Sequence, residues 1–450
     1  MDWDHLAEEH SQGLFSAWLK LLFRESPALP LRLAGRHRPE SPAVTVSEFT
    51  TGSYNICCTV TFEDGFQALV RFPILGRSRF RIEKTNDELL VMGYLARFTP
   101  IPIPKLLGTG RWGCGPYIVT TLVEGTLLSH CLRDPTMQTP GLDPRITDSD
   151  LERAYRGMAQ IMLELSKPTF PAIGALGWEA GVWKVTKTPL TLNMNELVRV
   201  GNCPPKIFTD CRFRTASEYF QELATQQLLH LQYQRNNAVK DESDCQKKYV
   251  ARCLFRRIAR QISTHPGPFR LYCDDFRPSN VLVSPSDFTV TGVIDWEFTY
   301  VAPAEFTYSA PWWLLFESPE AWESDLSEFL IRYTPRLQLF LKVLRFCEEE
   351  QIAKGSLTTL QRLSDRMEMS MENGSFWFCL AARKSFMFDD IYWKFIDQRH
   401  FGPLSSLNDR LSLLTQHERD AMPDFIQAKM QQAREKTLET HLTFDETVDL

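Results

Sequence analysis

Tyr272-Cys273-Asp274-Asp275-Phe276-Arg277-Pro278-Ser279-Asn280-Val281-Leu282-Val283, followed eight residues on by Thr291-Gly292-Val293-Ile294-Asp295-Trp296-Glu297, decides how this chain is read. An Asp is followed five residues later by Asn, then by an apolar strand, a turn and a second strand that ends in Asp295. Phosphoryl transfer needs three oxygen-bearing groups to converge. One carboxylate orients an acceptor hydroxyl and takes its proton, while an amide oxygen and a second carboxylate hold Mg²⁺ against the phosphates of ATP. Magnesium is a hard cation that takes oxygen ligands, so Asn and Asp are suitable types. In this reading Asp275 is the base, and Asn280 and Asp295 are the metal ligands. Asp and Asn beside Pro278 and Ser279 are also common turn formers; the joint pattern carries the reading, not any one residue.

Outward from that segment the chain changes character twice. The spacing of Leu14, Phe15, Trp18, Leu21 and Leu22 predicts a helix over 8–23, and a Pro- and Arg-rich stretch over 26–42 breaks it. Strands are predicted over 44–49, 56–62 and 66–72, the last two joined by the turn Glu63-Asp64-Gly65. A helix over 82–98 ends at Thr99-Pro100-Ile101-Pro102, because proline cannot continue it. Two further strands, near 105–107 and 117–122, complete a small, mostly antiparallel sheet. After Glu124-Gly125 come long helical patterns over 151–165, 217–234 and 247–262, interrupted by the β-rich island 271–293. The expected organisation is a β-rich N-terminal lobe over 1–123, with 1–42 as a helical extension, and a helical C-terminal lobe over 124–450 that carries the loops of 271–297.

Composition narrows the function classes. Hydrophobic residues make up 43% and charged residues 24%, ordinary for a globular chain. A net charge of -6 gives no basic footprint for nucleic acid. No stretch approaches the roughly 20 apolar residues of a membrane helix, and the acidic start Met1-Asp2-Trp3-Asp4 lacks a signal peptide's pattern. The 11 cysteines form no CxxC pair, and several sit in apolar runs as small core residues. A soluble, cytoplasmic protein without a membrane or nucleic-acid partner is expected; nothing in the sequence fixes an oligomeric state.

The motif segment resembles the catalytic and metal-binding loops of the aminoglycoside phosphotransferase family, relatives of choline kinase and the protein kinases, and is most similar to its fungal branch. Ile173-Gly174-Ala175-Leu176, Tyr219-Phe220, Gln234-Arg235-Asn236 and Phe388-Asp389-Asp390-Ile391-Tyr392-Trp393 fit the same family, over roughly residues 45–425. The resemblance implies an α+β, bilobal, protein-kinase-like fold: a small antiparallel sheet with a helix, then a large helical lobe. It implies an ATP- and Mg²⁺-dependent kinase acting on a hydroxylated small-molecule acceptor.

By the same resemblance, Gly52 and Ser53 in Phe49-Thr50-Thr51-Gly52-Ser53-Tyr54-Asn55-Ile56 bring backbone N–H groups to the phosphates, with Asn55 beside them at the nucleotide; a plain hairpin turn fits as well. Arg71 stands where kinases carry a phosphate-binding Lys, and Glu88 is the candidate ion-pair partner that fixes it, with Asp87 next door. Thr121 and Val123 lie in the expected hinge, whose backbone would meet the adenine edge. Two departures stand out. Cys273 replaces the usual His two residues before the base, and Glu297 stands in Ile294-Asp295-Trp296-Glu297, where it touches metal or substrate or caps a turn. Trp183, Trp312, Trp313, Trp377 and Trp393 read as core before pocket wall. Competing readings are a nucleotide-binding pseudokinase, motivated by Arg71 and Cys273, and a protein kinase, which the missing Phe-Gly after Asp295 opposes.

Overall fold

Strand alternation determines which side chains reach the site. The computed structural model describes residues 3–137, 141–262, 264–265, 267–317, 319–322, 326–439 and 442–449. Near the N-terminus, β1 (Ala43–Val46), β2 (Thr50–Thr51), β3 (Asn55–Phe62), β4 (Gln67–Pro73), β5 (Leu106–Trp112) and β6 (Gly115–Thr121) form an antiparallel sheet of order β1-β3-β4-β6-β5, with β2 paired to β3. Cys57 faces Arg71 across β3–β4, and Arg71 faces Ile118 across β4–β6. On β4, Ala68, Val70 and Phe72 are buried with Ile56, Cys58 and Val60 of β3 in one core. With a period of two, Leu69 and Arg71 therefore point to the opposite face.

That core is closed by α1 (His5–Glu25) and α2 (Ala28–His37), through Trp18, Leu22, Leu29 and Leu33. The second helix corrects the expectation of an irregular stretch over 26–42. Pro30 lies in the first turn, where its missing N–H leaves no hydrogen bond unmade, and the apolar Leu29, Leu33 and Ala34 share one buried face. α3 (Arg81–Phe98) packs against β6, and the chain returns from it to β5 of the same sheet.

The remainder is mainly helical after β7 (Thr126–Leu127): α4 (Leu128–Leu132), α5 (Asp148–Ser166), α7 (Ala216–Tyr233), α8 (Glu242–Gln261) and helices from Leu326 onward share one large core, while Met194 of α6 (Leu192–Arg199) packs in a small cluster with Leu190 and Phe298. A hairpin of β8 (Ala175–Glu179) and β9 (Val182–Lys187), absent from the sequence reading, turns at Ala180 (φ 51°) and Gly181 (φ 80°). That is the left-handed pair a two-residue hairpin turn uses. Trp178 and Trp183 face each other across it, with ring centroids 5.0 Å apart. Trp313 and Trp377 are core, as expected. Among the described residues no helix is long and apolar enough to cross a membrane.

Both chain ends are tied in. Asp4 caps α1 by accepting from Leu6 N and Ala7 N (3.2 Å each) and also accepts from Asn236 N (3.0 Å) and Nδ2 (2.9 Å). The helix that starts the chain is therefore anchored to the helical lobe at one end and to the sheet along its length. Near the other end, Phe444 and Val448 pack on the sheet core, and Arg81 Nη2 donates to Val448 O (3.3 Å).

Trp18 is fully buried, and its Nε1 donates to Cys114 O (3.3 Å). Trp18→Ala is expected to lower the unfolding free energy by about 3–5 kcal/mol, read from equilibrium urea unfolding. A change below about 1 kcal/mol would mean that the helical extension is not integral to the lobe.

Candidate active site

Two short hairpins bring the motif residues to one place. β10 (Arg270–Cys273) pairs with β13 (Thr299–Ala302), and β11 (Val281–Val283) pairs with both β12 (Val290–Val293) and β7. Asp275 follows β10, Asn280 ends the short 3₁₀ turn before β11, and Asp295 follows β12, so all three occupy the loops joining the two sheets. Those loops are zipped together: Ile294 N donates to Asn280 O (2.9 Å) and Asp274 N to Phe298 O (3.2 Å). Asp295 sits at φ 62° and Phe298 at φ 57°. Such left-handed backbone in non-glycine residues is strained and collects at functional sites.

The sheet and α3 deliver the counter-charges. Arg71 Nη1 donates to Asp295 Oδ1 (3.1 Å), and its Nη2 pairs with Glu88 on α3. Glu88, not Asp87, is thus the arginine's partner on α3; Asp87 pairs with Lys187 (2.9 Å), and burial pushes its carboxyl up to about 6. Burial, followed by the nearby Glu297 carboxylate, raises the Asp295 pKa well above the ordinary value. Burial also raises that of Asp275, opposed by Arg277, whose Nε lies 3.2 Å from Asp275 Oδ1.

The Glu297 carboxylate is internal, in an ion pair rather than at a turn. It is fully buried, ion-paired to Lys84 of α3, and accepts from Asn55 Nδ2 (3.1 Å), while Lys84 Nζ donates to Asn55 Oδ1 (3.3 Å). Asn55 therefore spends its amide on this internal tie at the cleft floor. Lys84 was not foreseen. Its one local signal is its place four residues before Glu88, on the same face of α3.

Asp274 turns away from Asp275, accepting from Leu192 N (3.1 Å) and Tyr300 Oη (3.2 Å). Cys273 is buried, its thiol pKa raised by burial, 3.8 Å from Glu297 O. It fills space and stays a protonated thiol that donates to that carbonyl.

A cleft of about 330 Å³ between the lobes is lined by Gly52, Ser53, Asn55, Arg71, Glu88, Asp275, Asn280 and Asp295, so eight of the ten expected residues meet there. Thr121 and Val123 are not in its lining; Thr120 and Leu127 are. β6 runs on through Thr121, and the N–H of Thr121 is used by Lys105 O (2.9 Å). A second cavity of about 460 Å³ adjoins the first and shares Ser53, Tyr54, Asp275 and Arg277 with it. Trp312 lines this second cavity, as a pocket wall. No local pattern announced Arg277, although it lies two residues from Asp275.

The donor set suits Mg²⁺. Asn280 Nδ2 donates to Asp275 O (2.9 Å), which fixes the amide and turns its oxygen to the other side. Among the described residues no group of three or more His, Cys, Asp or Glu gathers as a cage. One amide oxygen and one carboxylate, completed by phosphates and water, is a common magnesium arrangement.

A family model described as "Phosphotransferase enzyme family" matches residues 63–340. Among curated proteins no sequence matches the chain. Solved structures similar to it include a macrolide 2′-phosphotransferase from Brachybacterium faecium, 14% identical, with TM-score 0.40, covering 85% of this chain and 100% of that one. An amicoumacin kinase in complex with AMP-PNP, Ca²⁺ and Ami is 13% identical, with TM-score 0.40, covering 95% and 98%. An aminoglycoside phosphotransferase from Streptomyces rimosus in complex with ADP and streptomycin is 15% identical, with TM-score 0.34, covering 73% and 97%. At such identities and TM-scores these likenesses leave the acceptor open.

The buried tie is testable by a double-mutant cycle. Lys84→Met alone strands Glu297 and is expected to lower unfolding free energy by about 3–5 kcal/mol, whereas Lys84→Met with Glu297→Leu recovers most of that loss. Strictly additive losses in urea unfolding would contradict the pairing.

Proposed function

This chain belongs to the phosphotransferase enzyme family, and we propose that it transfers the γ-phosphoryl group of ATP to a hydroxyl of a small molecule seated in the 460 Å³ cavity. The observation that carries this reading is the place of Asp275: it lines both cavities, with Asn280 and Asp295 on the side of the smaller one. Bound with Mg²⁺, ATP supplies the electrophilic phosphorus and the metal spreads the charge of its phosphates.

The chain's own residues supply the rest. Asp275 accepts a hydrogen bond from the acceptor hydroxyl and takes its proton; burial raises its proton affinity and so its strength as a base. Arg277 holds that carboxylate from the side. Asn280 and Asp295 are the groups that hold the metal. Arg71, braced by Glu88, presents a permanent charge to the phosphates in place of a lysine ammonium. The Gly52–Ser53 loop covers them, steadied by Arg77 Nη1 donating to Gly52 O (3.1 Å). The eleven free cysteines support a reducing, cytoplasmic setting.

The nucleotide-binding, non-transferring alternative keeps one supporting observation: Arg71 already occupies Asp295 Oδ1 (3.1 Å), so a metal competes with a guanidinium there.

Transfer from radiolabelled ATP to a metabolite pool separates the two. Asp275→Asn is expected to reduce turnover by on the order of 10²–10⁴ while keeping Mg·ATP binding; equal turnover by wild type and variant would rule out the transferase reading. Mg·ATP at 100 times its Kd is expected to add about 2.7 kcal/mol of thermal stabilisation to wild type and Asp275→Asn. The gain largely disappears in Asp295→Asn.

A further inference from the structure

The larger cavity has a charge pattern that the transfer chemistry does not use. Arg77, Arg199, Arg277, Arg383 and Lys384 face Glu8, Glu196, Asp274 and Asp275 around it. Three of these carboxylates are already engaged. Glu196 accepts from Tyr54 Oη (3.0 Å), Asn195 Nδ2 (3.1 Å) and Arg199, through Nε (3.2 Å) and Nη2 (2.5 Å). Asp274 is held by Leu192, Tyr300 and, at 3.6 Å, Arg383. Asp275 faces Arg277, and Glu8 stands exposed on α1 at the rim. An incoming ammonium group would have to displace one of these donors or settle at Glu8 on the rim.

The wall beside α6 has the opposite need. Among the described residues the hydrogen bonds of Arg77 go to carbonyl oxygens, Gly52 O at 3.1 Å and Ser53 O at 3.5 Å, while its guanidinium stacks on Phe15 at 4.4 Å. Arg79, two residues on, buries Nε and Nη1 without a hydrogen-bond partner among the described residues, in a small void behind α6. Burial and then the Arg199 charge lower the proton affinity of both, pulling Arg79 down to about 10. Arg199 is thus ion-paired to Glu196, whose oxygens are taken, while Arg77 meets only carbonyl oxygens among the described residues. Clustered cations at a poorly hydrated wall are offset by an anion.

We propose that the acceptor is an oxyanion-bearing alcohol, a hydroxy acid or a phosphorylated alcohol, whose anionic group lies against Arg77 and Arg199 and whose body lies between Trp3, Trp312 and Phe386. This rests on the phosphotransferase reading and adds the substrate class. A polycationic acceptor is disfavoured, since three of the four lining carboxylates are already engaged.

A metabolite pool separated by ion exchange into anionic, neutral and cationic fractions, each incubated with the full chain, Mg²⁺ and γ-labelled ATP, tests it. Label should enter organic phosphate in the anionic fraction at about ten times the rate in either other fraction, since a charge-assisted hydrogen bond supports about a tenfold preference. Pretreating that fraction with a phosphatase, then removing the phosphatase, distinguishes the two sources: the signal disappears for a phosphorylated alcohol and persists for a hydroxy acid. Arg77→Met should raise the KM for the anionic fraction about tenfold or more, with Arg77→Lys between it and wild type; Mg·ATP thermal protection reports separately on the loop that Arg77 steadies. Label chiefly in the neutral or cationic fraction, or an unchanged preference in Arg77→Met, overturns the inference and leaves the phosphotransferase reading intact. No label in any fraction overturns both.

Discussion

A buried set of charges at the lobe junction governs the rest of this molecule: Arg71 with Glu88 and Asp295, and Lys84 with Glu297. Its members come from β4, α3 and the loop after β12, so no single element can shift without exposing or stranding a charge. Lys84 and Glu297 are 1% and 0% exposed. Ions taken this far out of water carry a penalty of several kcal/mol each unless their partners are well placed. Asn55 shows how far that placement goes, with its amide bonded to both Lys84 and Glu297. Two cations face three carboxylates, and the surplus falls where the proposed function brings a divalent metal. Burial and the neighbouring Glu297 carboxylate raise the Asp295 pKa, and its backbone is left-handed.

Much of this was legible in the sequence, for reasons that differ by residue. β3 and β4 announced themselves because alternate residues of each meet one apolar core, and the same alternation sends Arg71 to the cleft. Asp275, Asn280 and Asp295 were legible because short hairpins hold their loops, so their spacing along the chain translates directly into proximity. Lys84 and Glu297 were not legible as a pair, because 213 residues separate them and nothing in the motif around Glu297 pointed to Lys84. α2 was hidden by prolines that read as breakers but stand where a helix tolerates them. The expected hinge residues Thr121 and Val123 fell outside the cleft lining; Thr121 is still paired in β6, opposite Ala68, and its N–H is used by Lys105 O.

In the proposed function the two cavities divide the work, the smaller taking the nucleotide and the larger the acceptor. The nucleotide side is built from the sheet, α3 and the paired loops, all braced by the charge network. The acceptor side draws on Trp3 and Glu8 around α1, on α6, and on the residues after the helix Ser375–Arg383. These elements are far apart in the chain and are tied by capping contacts, as Asp4 illustrates between α1 and Asn236, and by the buried Arg383–Asp274 pair. Substrate choice can therefore change on one side of Asp275 while the transfer machinery on the other stays fixed, in keeping with function residing in sites rather than in folds.

The most direct measurement is a crystal structure of the full chain with Mg²⁺ and a non-hydrolysable ATP analogue. The account predicts the metal at about 2.0–2.1 Å from the Asn280 amide oxygen and an Asp295 carboxylate oxygen, with Arg71 on the phosphates and the Asp275 carboxylate off the metal, facing the larger cavity. A triphosphate lodged in that larger cavity, or a metal bound without Asn280 and Asp295, would contradict it.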